Sequence, residues 1–422
     1  MTPEVKKRIE QIRQGIVPEG YVKDKDGIYP RDWASKKIGQ WLKLAERSIV
    51  LQDEEEYQLV TIRRGFGGVD SRGSFLGKNV LVKNYFIVKT GDFIISKRKI
   101  AHGACGIVPP DLDGAVVSNE YNVFLPQDGT NIQMFNLMMQ LPHYKRLFYL
   151  MSDGVHIEKL LFKTQDWMKR TLAMPLLKEQ KKIAEILSTQ DKAIELQGRK
   201  IEELKRFKKG CLEKMFPRKG QKVPETRFPG FTGDWEQRKA KELFVSTADK
   251  GYPELPVLSA TQDRGMIRRD ENGINIFHDK KNEAGYKRVL PGQFVIHLRS
   301  FQGGFAHSAI EGITSPAYTV FGFSEPEKHD SEYWKYVFTS KSFIQRLETV
   351  TYGIRDGRSI SYEEFLTLGF VYPSKAEQTA IARYLDKLSD LITLHQRKLD
   401  EMKKQKKALM QLLLTGIVRV KA

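Results

Sequence analysis

One block of this chain is written twice, 198 positions apart. Pro175-Leu-Leu-Lys-Glu179-Gln180-Lys-Lys-Ile183-Ala184-Glu-Ile-Leu187 returns as Pro373-Ser-Lys-Ala-Glu377-Gln378-Thr-Ala-Ile381-Ala382-Arg-Tyr-Leu385. The match continues without a gap. Ile194, Leu196, Arg199, Lys200, Glu203, Lys205, Lys208 and Lys209 meet Ile392, Leu394, Arg397, Lys398, Glu401, Lys403, Lys406 and Lys407, so fourteen of 43 positions are identical. With small shifts of offset the repeat reaches upstream. Gly91-Asp-Phe93-Ile-Ile95-Ser-Lys-Arg98 answers Gly292-Gln-Phe294-Val-Ile296-His-Leu-Arg299. Ser118-Asn-Glu-Tyr121-Asn-Val123-Phe124 answers Ser315-Pro-Ala-Tyr318-Thr-Val320-Phe321, and Asp32-Trp33 answers Asp234-Trp235. Self-similarity of this extent makes the protein two copies of one domain-plus-helix unit.

The block after each proline reads as a long helix with apolar residues near a heptad. Ile183, Leu187, Ile194, Ile201, Leu204, Cys211 and Met215 form the first seam; Ile381, Leu385, Leu388, Ile392, Leu399, Met402, Leu409 and Leu413 form the second. Ser374 and Glu377 have the spacing of a capping box. Gly198 disfavours the first helix by about 1 kcal/mol relative to alanine. Forty residues of helix reach about 60 Å, more than a single domain needs. A lone amphipathic helix would be read as folding back on its own domain, whereas two matched ones predict mutual pairing.

Between the helices, Phe93-Ile-Ile95, Val116-Val117, Tyr121-Asn-Val-Phe124, Phe294-Val-Ile296, Tyr318-Thr-Val-Phe321 and Phe370-Val-Tyr372 carry the β-branched and aromatic bias of strands. Helical patterns interrupt them over 132–150 and 331–347, giving an α+β class. Tyr121, Phe124, Tyr318 and Phe321 are expected in the core. The predicted order is an N-terminal helical extension (1–28, with Val5, Ile9, Ile12 and Ile16), a first domain (29–174), a central helix (175–217), a linker and second domain (218–372), and a C-terminal helix (373–422). No run approaches the ~18 apolar residues of a membrane span, and the N-terminus has no secretory h-region, so a cytoplasmic protein is expected. Two cysteines, Cys105 and Cys211, exclude a disulfide framework and a Cys-rich zinc site. The net charge of +18 suggests a polyanionic partner. Residues 175–217 hold +4 of it and residues 373–422 hold +6, so the helices are more basic than the domains.

Catalytic signatures are missing. There is no Walker A loop, no Asn/Asp-Pro-Pro-aromatic motif of amino-methyltransferases and no histidine cluster with ligand spacing. Gly65-Phe-Gly-Gly68 reads as a flexible loop, and Glu203-x-Lys205 as a solvated salt-bridging face. Matched loops do carry the side chains that pair with base edges and phosphates. Arg63, Arg64 and Arg72 stand against Gln262, Arg264, Arg268 and Arg269; Lys97, Arg98, Lys99 and His102 against Arg299, Ser300 and Gln302; and Ser152 to His156 against Tyr352, Arg355 and Arg358. Each taken alone reads equally well as a solvated loop residue. Arg98 and Arg299 share a framework position, where a structural ion pair is at least as good a reading. The frameworks match while these loops diverge, as two domains reading different sequences would.

Two tandem variable domains, each closed by a Pro-x-x-x-Glu-Gln-x-x-Ile-Ala-x-x-Leu helix, with Leu-Leu-Thr-Gly-Ile-Val-Arg-Val at 413–420, resemble the specificity subunit of a type I restriction–modification system across essentially the whole chain. The resemblance implies two target-recognition domains on double-stranded DNA, each reading half of a bipartite site. The two helices then pair as an antiparallel coiled coil and set the spacer. The resemblance also implies a non-catalytic chain, two methyltransferase subunits, and a restriction subunit acting as translocase and nuclease. S-adenosylmethionine, ATP and Mg are expected on those partners and no cofactor on this chain. The N-terminal extension is longer than the framework needs, and is expected to pack beside the C-terminal helix. A fused enzyme, a scaffold whose variable domains bind protein, and the specificity subunit of a related methyltransferase/nuclease system lacking a separate motor are the competing readings.

Overall fold

The computed structural model describes residues 2–24, 27–154, 160–218, 220–261, 264–272, 280–297, 304–347 and 361–420. Contacts divide the chain into two compact units, Met1–Gln197 with Lys398–Ala422, and Gly198–Arg397.

In the first unit a four-stranded antiparallel sheet runs in the order Cys105–Ile107, Phe93–Ser96, Tyr121–Pro126, Leu42–Leu44. Both of its faces are covered, so the strand Phe93–Ser96 is buried at every position, with the apolar run Phe93-Ile-Ile95 in place of an alternating pattern. Phe93, Ile95 and Phe124 face Phe135, Phe148 and Trp167, beneath the helices Ile132–Met139 and Pro142–Leu150. Ile94 and Val123 face Val60, Val69, Val88 and Val117, which belong to or flank a second, five-stranded sheet. That sheet runs Ser48–Val50, Asn84–Ile87, Val116–Ser118, Glu56–Ile62, Val69–Leu76. The helical stretch expected over 132–150 is two helices, because Pro142 cannot continue the first and starts the second.

The second unit repeats the design. Its sheet runs Phe305–His307, Phe294–Ile296, Thr319–Phe323, Phe244–Thr247. Phe294 and Phe321 face Tyr333, Trp334, Phe338, Phe343 and Phe365, while Val295 and Val320 face Leu258, Met266 and Val289. Tyr121 and Tyr318 pack at the margins of these cores, half-buried, whereas Phe124 and Phe321 are fully buried.

The long helices span Leu177–Lys214 and Lys375–Leu414, and the first passes through Gly198 unbroken. They pack antiparallel. In the first unit Ile183 and Leu187 are buried with Leu413 and Leu414, and further along Lys406 Nζ lies 2.5 Å from Asp191. In the second unit Ile381, Ala382 and Leu385 are buried with Met215 and Phe216, and Lys208 Nζ donates to Ser389 Oγ at 2.8 Å. Toward the helix middles Ile201 and Leu399 are buried, while Ile194, Leu204, Leu388, Ile392 and Met402 are half-buried.

The doubled Glu-Gln pair has a structural task at each helix start. Gln180 is fully buried; its Oε1 accepts Asn131 N–H at 2.7 Å and its Nε2 donates to Gly129 O (2.9 Å) and Pro175 O (2.8 Å). Gln378 repeats this on Asp330 N–H (2.9 Å), Lys328 O (3.5 Å) and Pro373 O (2.8 Å). A buried amide thereby meets backbone groups that would otherwise lack partners. Glu179 receives a two-pronged bond from Arg419 (2.9 and 2.7 Å), which also grips Asp32 (2.7 and 2.8 Å). Glu377 receives Arg227 in the same way (2.8 and 2.7 Å), so its carboxylate is committed to this arginine beyond any capping-box part. Each arginine follows one long helix and returns to the glutamate that opens the other.

The N-terminal extension forms a helix, Pro3–Arg13, and a hairpin, Tyr21–Asp24 with Gly27–Pro30. It holds the tail that follows the C-terminal helix: Tyr21 Oη donates to Gly416 O at 2.6 Å and Arg8 Nη1 to Ile417 O at 2.5 Å. Gly416 is obligatory there, with φ +70° and Pro30 only 2.5 Å from where a Cβ would stand.

Candidate nucleic-acid interface

In the first unit the hairpin Glu56–Ile62/Val69–Leu76 ends in the turn carrying Arg63 and Arg64. Arg63 N–H closes that turn on Gly68 O at 3.0 Å. The next strand but one, Phe93–Ser96, leads into Lys97, Arg98, Lys99 and a 3-10 turn, Ile100–His102. The two loops meet: Gly65 N–H donates to His102 O at 2.7 Å, and Phe66 N–H to Gly103 O at 2.8 Å. The edges behind them also touch, since a Cβ on Gly106 would lie 3.2 Å from Gly68 Cα. Two groups of candidates some thirty residues apart in sequence therefore share one corner of the molecule. The Gly65–Gly68 loop, expected to be flexible, is instead pinned by its backbone.

The charges at this corner divide into neutralised and available. Arg63 pairs with Asp70 across the hairpin. Arg98 binds Glu120 through Nε (2.6 Å) and Nη2 (3.2 Å), and Glu120 holds its guanidinium above the usual pKa. Lys97 N–H donates to Glu120 O at 2.9 Å, so Arg98 braces the loop base. Arg64 and His102 also have partners. Lys99 is exposed here and Arg72 is exposed further along the strand Val69–Leu76, and neither carries an ion pair among the described residues. Sequence reading passed over Glu120, Asp70 and Phe66. For Asp70 the signal was present, as an acid seven positions from Arg63 across a glycine turn.

The second unit brings the equivalent sheet edges together. The hairpin Leu258–Thr261/Gly265–Arg268 lies on the strand Phe305–His307, with Met266 bridging to Ser308. Gly265 has φ +67°, and a Cβ there would sit 2.3 Å from His307 O, so only glycine permits this approach. Arg264 is exposed at the tip, where its N–H donates to Thr261 Oγ1 at 3.1 Å, and Arg268 is exposed at the other end of the hairpin, across from Leu258. Arg269 is half-buried and its N–H bonds Val257 O at 2.9 Å. Gln262, Arg299, Ser300, Gln302, Tyr352, Arg355, Arg358 and His156 lie outside the described residues.

Among the described residues no helix is long and apolar enough to cross a membrane. Residues 30–206 match the family model of the type I restriction modification DNA specificity domain. The chain is 24% identical to the type I restriction enzyme MjaVIII specificity subunit of Methanocaldococcus jannaschii, over 93% of this chain and 94% of that one. It is 22% identical to the putative MjaX specificity subunit of the same organism, over 96% and 97%. Its fold matches a chain from a structure of complex assembly and conformational transition of the type I R-M system, with a TM-score of 0.58, 16% identity, and 92% and 99% of the two chains covered. By the specificity-domain match over residues 30–206 and by relatives aligned along nearly its whole length, the chain resembles the specificity subunits of type I restriction–modification systems, and its fold is similar to that of a chain from such a system.

Proposed function

We propose that this chain is the non-catalytic DNA reader of its complex, each unit reading one half of a bipartite double-stranded site through the region around its hairpin, where the two sheet edges adjoin. The observation that carries this reading is that one scaffold is built twice with different basic side chains on its hairpin and beside it: Arg64, Arg72 and Lys99 in one unit, Arg264 and Arg268 in the other. Such side chains bond base edges in the major groove and neighbouring phosphates. The paired helices set the spacer.

Docking of two methyltransferase subunits has its own support. Leu196 and Leu394 occupy the same repeat position and are each 63% exposed. Arg199 and Arg397, Lys200 and Lys398, Lys205 and Lys403, and Lys209 and Lys407 are likewise exposed and identical. Internal packing does not restrain an exposed position, so sameness there points to a partner met twice. In this reading those partners bring S-adenosylmethionine and flip the target adenine, and the restriction subunit brings ATP and Mg.

The test replaces residues 29–174 with those of another specificity subunit and maps methylated adenines genome-wide. One half of the recognised site should change while the other half and the spacer persist. A change in both halves overturns the modular reading. Binding of the assembled complex to random duplex should fall steeply with salt. A flat salt profile would favour a protein-binding scaffold instead.

A further inference from the structure

Hairpin tip and turn belong to different sheets, and both must be held before they can present a fixed set of donors. In the first unit we infer that Phe66 is the positioning residue that locks them together, an inference that rests on the reading of this corner as the half-site reader. Phe66 has φ +60°, and it is the one non-glycine residue with positive φ among the described residues. An aromatic residue adopts that conformation only when its surroundings compel it. Glycines 65, 67 and 68 flank it, yet the strained position carries the ring.

The ring explains the placement. It lies over Gly103, where a Cβ would come within 2.9 Å of Phe66 Cε2, and Gly103 itself has φ +75°. It also packs, half-buried, on the core cluster that contains Phe93 and Ile95. Its own N–H and that of Gly65 donate to the carbonyls of Gly103 and His102. One residue thus ties the edge strand Val69–Leu76 of one sheet to the edge strand Cys105–Ile107 of the other, and with them Arg64 to Lys99. The second unit joins the equivalent edges by another route, the Met266–Ser308 bridge and the close approach of Gly265 to His307 O. Phe66 therefore acts on one half-site alone. Loops ordered before DNA arrives do not lose that freedom on binding, so discrimination depends on the lock.

The experiment uses the complex reconstituted with its methyltransferase subunits, and measures methylation of cognate duplex against duplexes with single base changes in either half-site. Phe66→Asn keeps a residue tolerant of positive φ but removes the ring, and Gly103→Ala intrudes on the ring's place. Both should reduce discrimination at one half-site about tenfold and leave the other unchanged, while Phe66→Tyr retains discrimination. Unchanged discrimination, or equal loss at both half-sites, overturns the lock. An Arg63→Ala/Arg64→Ala pair keeps the two ideas apart. Loss with that pair but not with Phe66→Asn overturns the lock and leaves the reading intact; no loss with either overturns the reading and the lock with it.

Discussion

At the residue scale, two buried side chains give direct tests. Gln180→Leu would leave Asn131 N–H, Gly129 O and Pro175 O without their partner in a buried place, which should cost about 2–3 kcal/mol, read as a drop in the midpoint of chemical unfolding. His329 is 6% exposed, stacked on Phe323 with ring centroids 4.7 Å apart, and its Nδ1 has no hydrogen-bond partner among the described residues. Burial lowers its pKa below 6.5, against the upward pull of Glu236, Glu325 and Glu327 and with Lys375 adding to the depression. His307 is lowered in the same sense by burial, with Glu332, Asp386 and Asp330 opposing and Lys335 reinforcing. A depressed histidine is neutral in the fold while the unfolded chain takes up a proton. The stability it contributes is present above pH 6.5 and is lost as pH falls through the folded-state value. The melting temperature of the second unit should therefore fall between pH 7.5 and 5.5, and His329→Phe should flatten part of that fall. The Glu-Gln pair was visible in sequence as a pattern. Its role was not, because Gln180 serves a backbone N–H 49 residues earlier in the chain.

At the element scale, the long helices were legible because a heptad is a local signal, and neither Gly198 nor the intervening domain disturbs it. The arginines that cross from one helix to the other were not legible. Arg227 sits in what reads as linker and Arg419 in a short tail, and only folding brings them to Glu377 and Glu179. Arg419→Ala would strand Glu179, whose side chain is 7% exposed, and release Asp32, whose carboxyl Arg419 holds below its usual pKa. With the guanidinium itself 37% exposed, the loss should be about 2 kcal/mol, measured by calorimetry of the purified chain. On the outer surface, Leu196→Asp with Leu394→Asp should release methyltransferase subunits, observable by native mass spectrometry, without changing the chain's own melting temperature.

At the scale of the whole molecule, the repeat revealed two domains of one kind, their α+β class and the pairing of their helices. It did so because a doubled sequence supplies its own internal comparison. A structural ion pair was one of the sequence readings for Arg98, but its partner Glu120 stayed hidden, since an ion pair between neighbouring loops leaves no periodic trace. Equally hidden was the membership of the first unit, which draws on both ends of the chain, Met1–Gln197 and Lys398–Ala422. That membership sets an order on biosynthesis. The second unit is one continuous stretch and can close as soon as it leaves the ribosome. The first, although begun earlier, waits for the stretch after Lys398 to emerge before Arg419 reaches Glu179 and Tyr21 caps Gly416. A polypeptide that stops before Arg419 lacks that seal on its first unit.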